Sequence, residues 1–254
     1  MRVLVAVRVK SRQNVDIGIA LTRARMDVLL AQNKAFVVEE TLPRVYYCPE
    51  FITEEEHDFL LKQVYAAPLP KWTHLSNRRL QNWGGMPNPK GMLQEKLPPW
   101  LDSLADRLQD LGIFDKDRPN HVLVNEYMPG QGIMPHEDGP LFYPIIATIN
   151  LGSHTLLDLY KKRSETADDS SAESRYVSSL LLETRSLVVL TKDVYHSMLH
   201  GIRMRTEDRI DESICNLKYC ATQYKYGDVL ARKTRVSLTI RKVLKVSKLR
   251  IKIK

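Results

Sequence analysis

The run His121-Val122-Leu123-Val124-Asn125-Glu126-Tyr127, continued by Met128-Pro129-Gly130-Gln131-Gly132-Ile133-Met134-Pro135-His136-Glu137-Asp138-Gly139-Pro140, sets a strand, a turn and a pair of ligand-type side chains side by side. Pro129, Gly130 and Gly132 interrupt the extended run and mark the turn. With His136 to Asp138 extended, the side-chain period of two puts the imidazole and the carboxylate on one face. These are two of the three ligands of the facial triad that holds non-haem Fe(II) while leaving positions open for co-substrates. A lone His-x-Asp pair is equally read as a loop His that caps backbone beside a solvated Asp, so the rest of the chain has to supply the context.

Outward from this stretch the chain is mostly short extended runs. Residues 143–151, 155–160, 176–183, 186–190, 194–199 and 235–243 read as strands. Upstream, Val45-Tyr46-Tyr47-Cys48 is a further strand. Thr53, followed three residues later by Glu56, is a capping box opening a helix through Phe59, Leu60 and Val64 that Pro68 and Pro70 close. Pro98-Pro99 opens a second helix, with Leu101, Leu104, Leu108 and Leu111 at helical spacing. Two helices ahead of many short strands predict an α+β protein, a double-stranded β-helix (jelly roll) core with N-terminal supporting helices. Residues 71–99, rich in Gly, Pro and Asn yet holding Trp72, Arg78, Arg79, Trp83 and Gly84-Gly85, read as a long functional loop or lid. The alternative there is a surface loop pinned by two buried Trp. Residues 161–174 read as a mobile charged loop, and 203–231 as an excursion off the sheet.

With 254 residues, 43% of them hydrophobic and 27% charged, the chain can bury one sizeable core. Its net charge of +8 comes from the ends: residues 1–25 carry six basic and one acidic residue, and residues 241–254 seven basic and none acidic. That leaves 25 basic against 29 acidic residues between them, so any attraction to phosphates is expected from the termini. The three cysteines, Cys48, Cys215 and Cys220, are odd in number and lack C-x-x-C spacing, which favours neither a disulfide framework nor a zinc ribbon and fits a reducing compartment. Cytoplasm and nucleus are the expected locations and a monomer the expected form. The arginines of residues 1–25 break any apolar core a signal peptide would need; the segment reads as an extension with Met26 as an alternative initiator, or as an Arg-rich transit peptide. No run approaches eighteen apolar residues, so no membrane span is expected. The expected layout is an extension over 1–43, one folded domain over 44–243 and a basic tail over 244–254.

A third ligand can come from His154, His196 or His200, and strand parity does not choose between the last two. Further context lies in Arg235-Val236-Ser237-Leu238-Thr239-Ile240-Arg241, where polar and apolar residues alternate strictly. In a strand the two arginines share a face, and in a barrel mouth they need anions; a dicarboxylate suits the guanidinium fork. Asn125 and Tyr127 share a face of their own strand, offering an amide and a phenol.

Taken in order, Asn125-x-Tyr127, Pro129-Gly130, His136-x-Asp138, His200-Gly201-Ile202 and Arg235-x5-Arg241 resemble the AlkB-type Fe(II)- and 2-oxoglutarate-dependent dioxygenases, over about residues 44–243. The resemblance selects His200 over His196, since the family's distal His precedes Gly-Ile. It implies a metal site of His136, Asp138 and His200 and the co-substrates 2-oxoglutarate and O2. Arg235 and Tyr127 would meet the distal carboxylate of 2-oxoglutarate, Arg241 and Asn125 the iron-chelating end, with Ser237 where the founding member has Asn. It further implies oxidation or demethylation of an alkylated substrate, foremost nucleic acid, with release of succinate and CO2. Trp83 would then stack on a flipped or single-stranded DNA or RNA base. Pro140 stands where the founding member has an acidic residue facing that base. The alternatives are a dioxygenase acting on protein, or a metal-retaining regulatory protein with little turnover.

Overall fold

The computed structural model describes residues 38, 45–114, 117–163 and 171–247. The expectations for residues 1–37 and 39–44, for the loop over 164–170 and for the tail beyond Ser247 fall outside the described residues.

In chain order, β1 (Val45–Cys48) leads to α1 (Glu54–Tyr65), β2 (Thr73–Leu75), β3 (Arg78–Trp83), β4 (Met92–Leu93) and α2 (Pro99–Asp110). Then come β5 (His121–Tyr127), β6 (Ile133–His136), β7 (Phe142–Leu151), β8 (Thr155–Lys161), β9 (Tyr176–Leu182) and β10 (Leu187–Leu190). The chain closes with α3 (Lys192–Ser197), β11 (Met198–Ile202), β12 (Glu207–Arg209), β13 (Val229–Ala231), β14 (Arg235–Val243) and β15 (Val246–Ser247). Seven strands form the larger sheet, in the order β1-β10-β7-β14-β5-β3-β2, and four the smaller, β6-β11-β8-β9.

The alternation along β14 divides the molecule into layers. Val236, Leu238 and Ile240 are fully buried in the cluster that the larger sheet makes with α1 and α2, through Leu60, Val64, Leu101, Leu104 and Leu108. Each such side chain contributes about 1.5–3 kcal/mol through its removal from water. The opposite face of the larger sheet meets the smaller one, where Tyr47, Val188 and Leu190 pack on Leu157, Leu159, Leu180 and Leu182. The two helices therefore back one sheet, and the space between the sheets remains for a site, as the jelly-roll expectation requires. At the start of α1 both halves of the capping box form: the Glu56 N–H donates to Thr53 Oγ1 at 3.2 Å and the Thr53 N–H to Glu56 Oε2 at 2.9 Å.

Three expectations need correction. The first part of residues 71–99 is no irregular lid: β2 and β3 pair as a hairpin and extend the larger sheet beyond β5, Arg79 opposite Glu126 and Trp83 opposite Val122, while residues 84–98 are irregular apart from β4. Their polar composition suits an edge with one exposed strand, which is why it resembles loop sequence. Of residues 194–199 only Met198 and Leu199 are strand; residues 194–197 belong to α3, which turns the chain from one sheet to the other before β11 begins. A short apolar run with Val194 buried satisfies either state, and the crossing decides it. Lastly, the folded body continues past Val243, because β15 pairs in parallel with β4. Residues 203–231 do leave the main sheets, as a small β12–β13 ribbon.

Candidate active site

β6 ends at His136, and its antiparallel partner β11 sets His200 directly opposite. Asp138 follows two residues on, beside Gly139, whose φ of 83° turns the chain where a side chain would be strained. One ligand atom from each of the three lies within 4.8 Å of the others. The imidazole centroids are 4.5 Å apart, and His200 Nε2 is 3.4 Å from Asp138 Oδ2. His136 Nδ1 donates to the Met134 carbonyl at 2.9 Å, which leaves its Nε2 lone pair for a cation. Burial, aided by His136 and Arg241 and opposed by Asp138, brings His200 down to about 4, so it is neutral with a lone pair to give. At Asp138 burial works against ionisation, but Arg241 and the two imidazoles outweigh it and hold the carboxyl below the usual range. Two imidazoles and one carboxylate fit Fe(II). Of the rival ligands, His196 is exposed on α3 and His154 lies 3.4 Å from Asp208, away from this cluster.

The triad opens on a cavity of about 250 Å³ between the sheets, and Asn125, Tyr127, Arg235, Ser237 and Arg241 all line it. Arg241 pairs through Nη1 with Asp138, and its guanidinium carbon sits 4.0 Å from the Phe142 ring centroid. Arg235 is only 4% exposed and makes a single hydrogen bond, Nη2 to Asn150 Oδ1 at 2.6 Å. Among the described residues its Nε and Nη1 are buried without a partner. Burial brings Arg235 down to about 10, so it remains a cation at neutral pH. A buried cation with open N–H groups beside a cavity is the complement of a carboxylate, and the residues present thus fit a keto diacid. Tyr127 lies beside it, ring centroid 5.6 Å from the guanidinium carbon, its phenol pushed up by burial and so kept as a neutral donor.

Sequence reasoning missed one residue that lines the pocket and one buried behind it, and misplaced Trp83. Arg78 lines the cavity and donates from Nε to Asn125 Oδ1 at 3.2 Å; its adjacency to Asn125 across the β3–β5 ladder is invisible until 71–99 is seen as a hairpin. Asn150 lies in an apolar run with nothing to mark it. Trp83 belongs to the helix side of the sheet: its ring meets Trp100 edge-on at 6.0 Å, its Nε1 donates to Gln81 at 2.8 Å, and Lys71 Nζ caps it at 4.4 Å. It cannot stack on anything in the cavity, because alternation along β3 puts Arg78, not Trp83, on that face. Arg79 is likewise spent on Glu126, at 2.6 and 2.9 Å.

Comparison with known proteins agrees with this geometry. The model of the 2OG-Fe(II) oxygenase superfamily matches residues 51–241. A Danio rerio protein named probable RNA/DNA demethylase ALKBH6 is 55% identical over 213 residues, which cover 83% of this chain and 90% of that one. A Macaca fascicularis protein, tRNA (carboxymethyluridine(34)-5-O)-methyltransferase ALKBH8, is 28% identical over 84% of this chain but only 32% of its own length. The solved structure of OsALKBH1 shares the fold, with a TM-score of 0.51 at 14% identity over 79% of this chain and 97% of that one.

Proposed function

This chain belongs to the 2OG-Fe(II) oxygenase superfamily, and from that premise we propose that it oxidatively removes alkyl groups from nucleic acid, with Fe(II) held by His136, Asp138 and His200. It is a 2-oxoglutarate-dependent dioxygenase that uses Fe(II), 2-oxoglutarate and O2. The metal with its co-substrates supplies the oxidising chemistry, in which decarboxylation of the keto acid to succinate and CO2 is coupled to hydroxylation of a substrate C–H bond.

The protein's own contribution is geometry and charge. His136 and His200 would offer imidazole nitrogens and Asp138 a carboxylate to the metal. Arg241 holds Asp138 in place through its ion pair and, with Asn125, faces the chelating end of the keto acid. Arg235 neutralises the far carboxylate and Tyr127 donates to it, with Ser237 between the two arginines on the same strand face. Leu157, Leu182 and Leu190 wall the cavity and exclude water. On an N-methyl group, hydroxylation gives a hemiaminal that loses formaldehyde.

The observation that carries this reading is the pairing of the triad with a buried Arg235 whose N–H groups are open. Nucleic acid as substrate is supported by the similarity to the Danio rerio protein named probable RNA/DNA demethylase; we further propose that the chain meets it in the cytoplasm and nucleus. Succinate and formaldehyde release, measured on matched panels of methylated single-stranded DNA, RNA and peptides, tests it. Stoichiometric formaldehyde from DNA or RNA is expected; turnover on peptides alone would move the substrate to protein.

A further inference from the structure

We propose that Asn150 is the positioning residue that aims Arg235 at the far carboxylate of 2-oxoglutarate and thereby sets the preference for a dicarboxylate keto acid. This rests on the reading that Arg235 meets that carboxylate.

Asn150 is fully buried in β7, opposite Ser237 of β14. Its amide has one way round. Ser186 Oγ donates to the Glu183 carbonyl at 2.6 Å and so turns its lone pairs outward. Asn150 Nδ2 donates to that Oγ at 3.1 Å and to the Ser186 carbonyl at 3.3 Å. Oδ1 is therefore left facing Arg235, where it accepts from Nη2 at 2.6 Å. The backbone of Asn150 is pinned as well, its N–H on the Ser186 carbonyl at 2.9 Å and its carbonyl accepting from the Arg185 N–H at 2.7 Å. A long, flexible side chain beside a cavity is held by this one bond, and its loss would return rotamer freedom to the guanidinium. The holder is neutral. An amide oxygen orients the cation without cancelling its charge, so the charge stays available to a ligand, whereas an Asp at the same place would compete with the ligand for it.

Two keto acids separate the roles: 2-oxoglutarate and 2-oxovalerate, which has the same five carbons but no far carboxylate. Their affinities for the full chain loaded with Mn(II) are measured by calorimetry, without turnover. Wild-type protein is expected to prefer 2-oxoglutarate strongly, and Arg235→Ala to abolish the preference. Asn150→Ala should weaken 2-oxoglutarate about tenfold, the size of one charge-assisted hydrogen bond, and leave 2-oxovalerate within about twofold. Asn150→Asp, of nearly unchanged size, should weaken 2-oxoglutarate further still while sparing 2-oxovalerate, and it carries the test if the Ala variant fails to fold. Equal weakening of both keto acids, or an unchanged preference in both variants, overturns the proposal for Asn150 while leaving Arg235 its role. A wild-type protein with no preference overturns the Arg235 reading and this one with it.

Discussion

At one end of β14 Arg241 is buried against Asp138, and at the other Arg235 is buried against the amide of Asn150. The two side chains are the same, lie on the same face of the same strand, and differ in what answers their charge. Arg241 is neutralised inside the protein, so it is part of the scaffold that fixes a metal ligand. Among the described residues Arg235 has no acid partner and keeps Nε and Nη1 open, so its charge is left for something entering the cavity. A buried ion with its partner present is nearly neutral in stability, and a buried ion without one is held at a cost that points to a ligand.

The largest effect is expected where the paired end meets the triad. His136→Ala or Asp138→Ala should abolish metal binding and 2-oxoglutarate decarboxylation together, while His196→Ala, on the exposed face of α3, changes neither; metal content and succinate release check this. The same substitution at both arginines then gives opposite signs of stability. Arg241→Met strands Asp138 in the interior and should cost about 3–5 kcal/mol in urea unfolding of the metal-free protein. Arg235→Met removes an unanswered cation and should raise that stability by about 1 kcal/mol, although both variants lose 2-oxoglutarate binding. Equal losses at the two sites would erase the distinction.

A third arginine sharpens it. Arg232, three residues before Arg235, makes two 2.7 Å bonds to Asp208, which is fully buried. Burial opposes ionisation of Asp208, but His154, Arg232 and Arg205 overcome it and hold the carboxyl well below the usual range. A depressed carboxyl stabilises the fold fully above its ordinary value of about 4 and loses that contribution as pH falls through the depressed one. Asp208→Asn should therefore cost about 3 kcal/mol at pH 7, and the gap to wild type should close progressively in unfolding curves taken below about pH 4. The smallest effect on the keto-acid pocket belongs to the far side of the sheet. Trp83→Ala should lower stability by about 2 kcal/mol in the same assay and leave keto-acid affinity unchanged; weaker 2-oxoglutarate binding would return Trp83 to the site.

The His136–Asp138 pair and the β14 face were legible as spacings, two residues apart and in strict alternation, whereas His200 was singled out from His196 only by the family resemblance. The capping box at Thr53 was legible for the same reason, as a local rule met by local residues. What escaped depends on partners distant in sequence. Arg78 and Trp83 lie in a polar, Gly-flanked segment that becomes a hairpin only by pairing with β5, so their faces could not be assigned beforehand. Asn150 is one of two polar residues in Ile-Ile-Ala-Thr-Ile-Asn-Leu, and its meaning needs both Ser186 and Arg235 to be in place. Residues 194–197 satisfy helix and strand alike, and the crossing between sheets selects the helix.

β6 is only four residues long and, at the margin of the smaller sheet, has a neighbour on one side alone. The backbone ladder to that neighbour passes through His136 opposite His200, so an ion shared by the two imidazoles rivets adjacent strands in the register their amides already choose. A slip by one residue would turn His136 to the other face and undo both at once. Loading with Mn(II) should accordingly slow amide hydrogen exchange at residues 133–136 and 198–202 far more than in β14, which is flanked on both sides at the middle of the larger sheet.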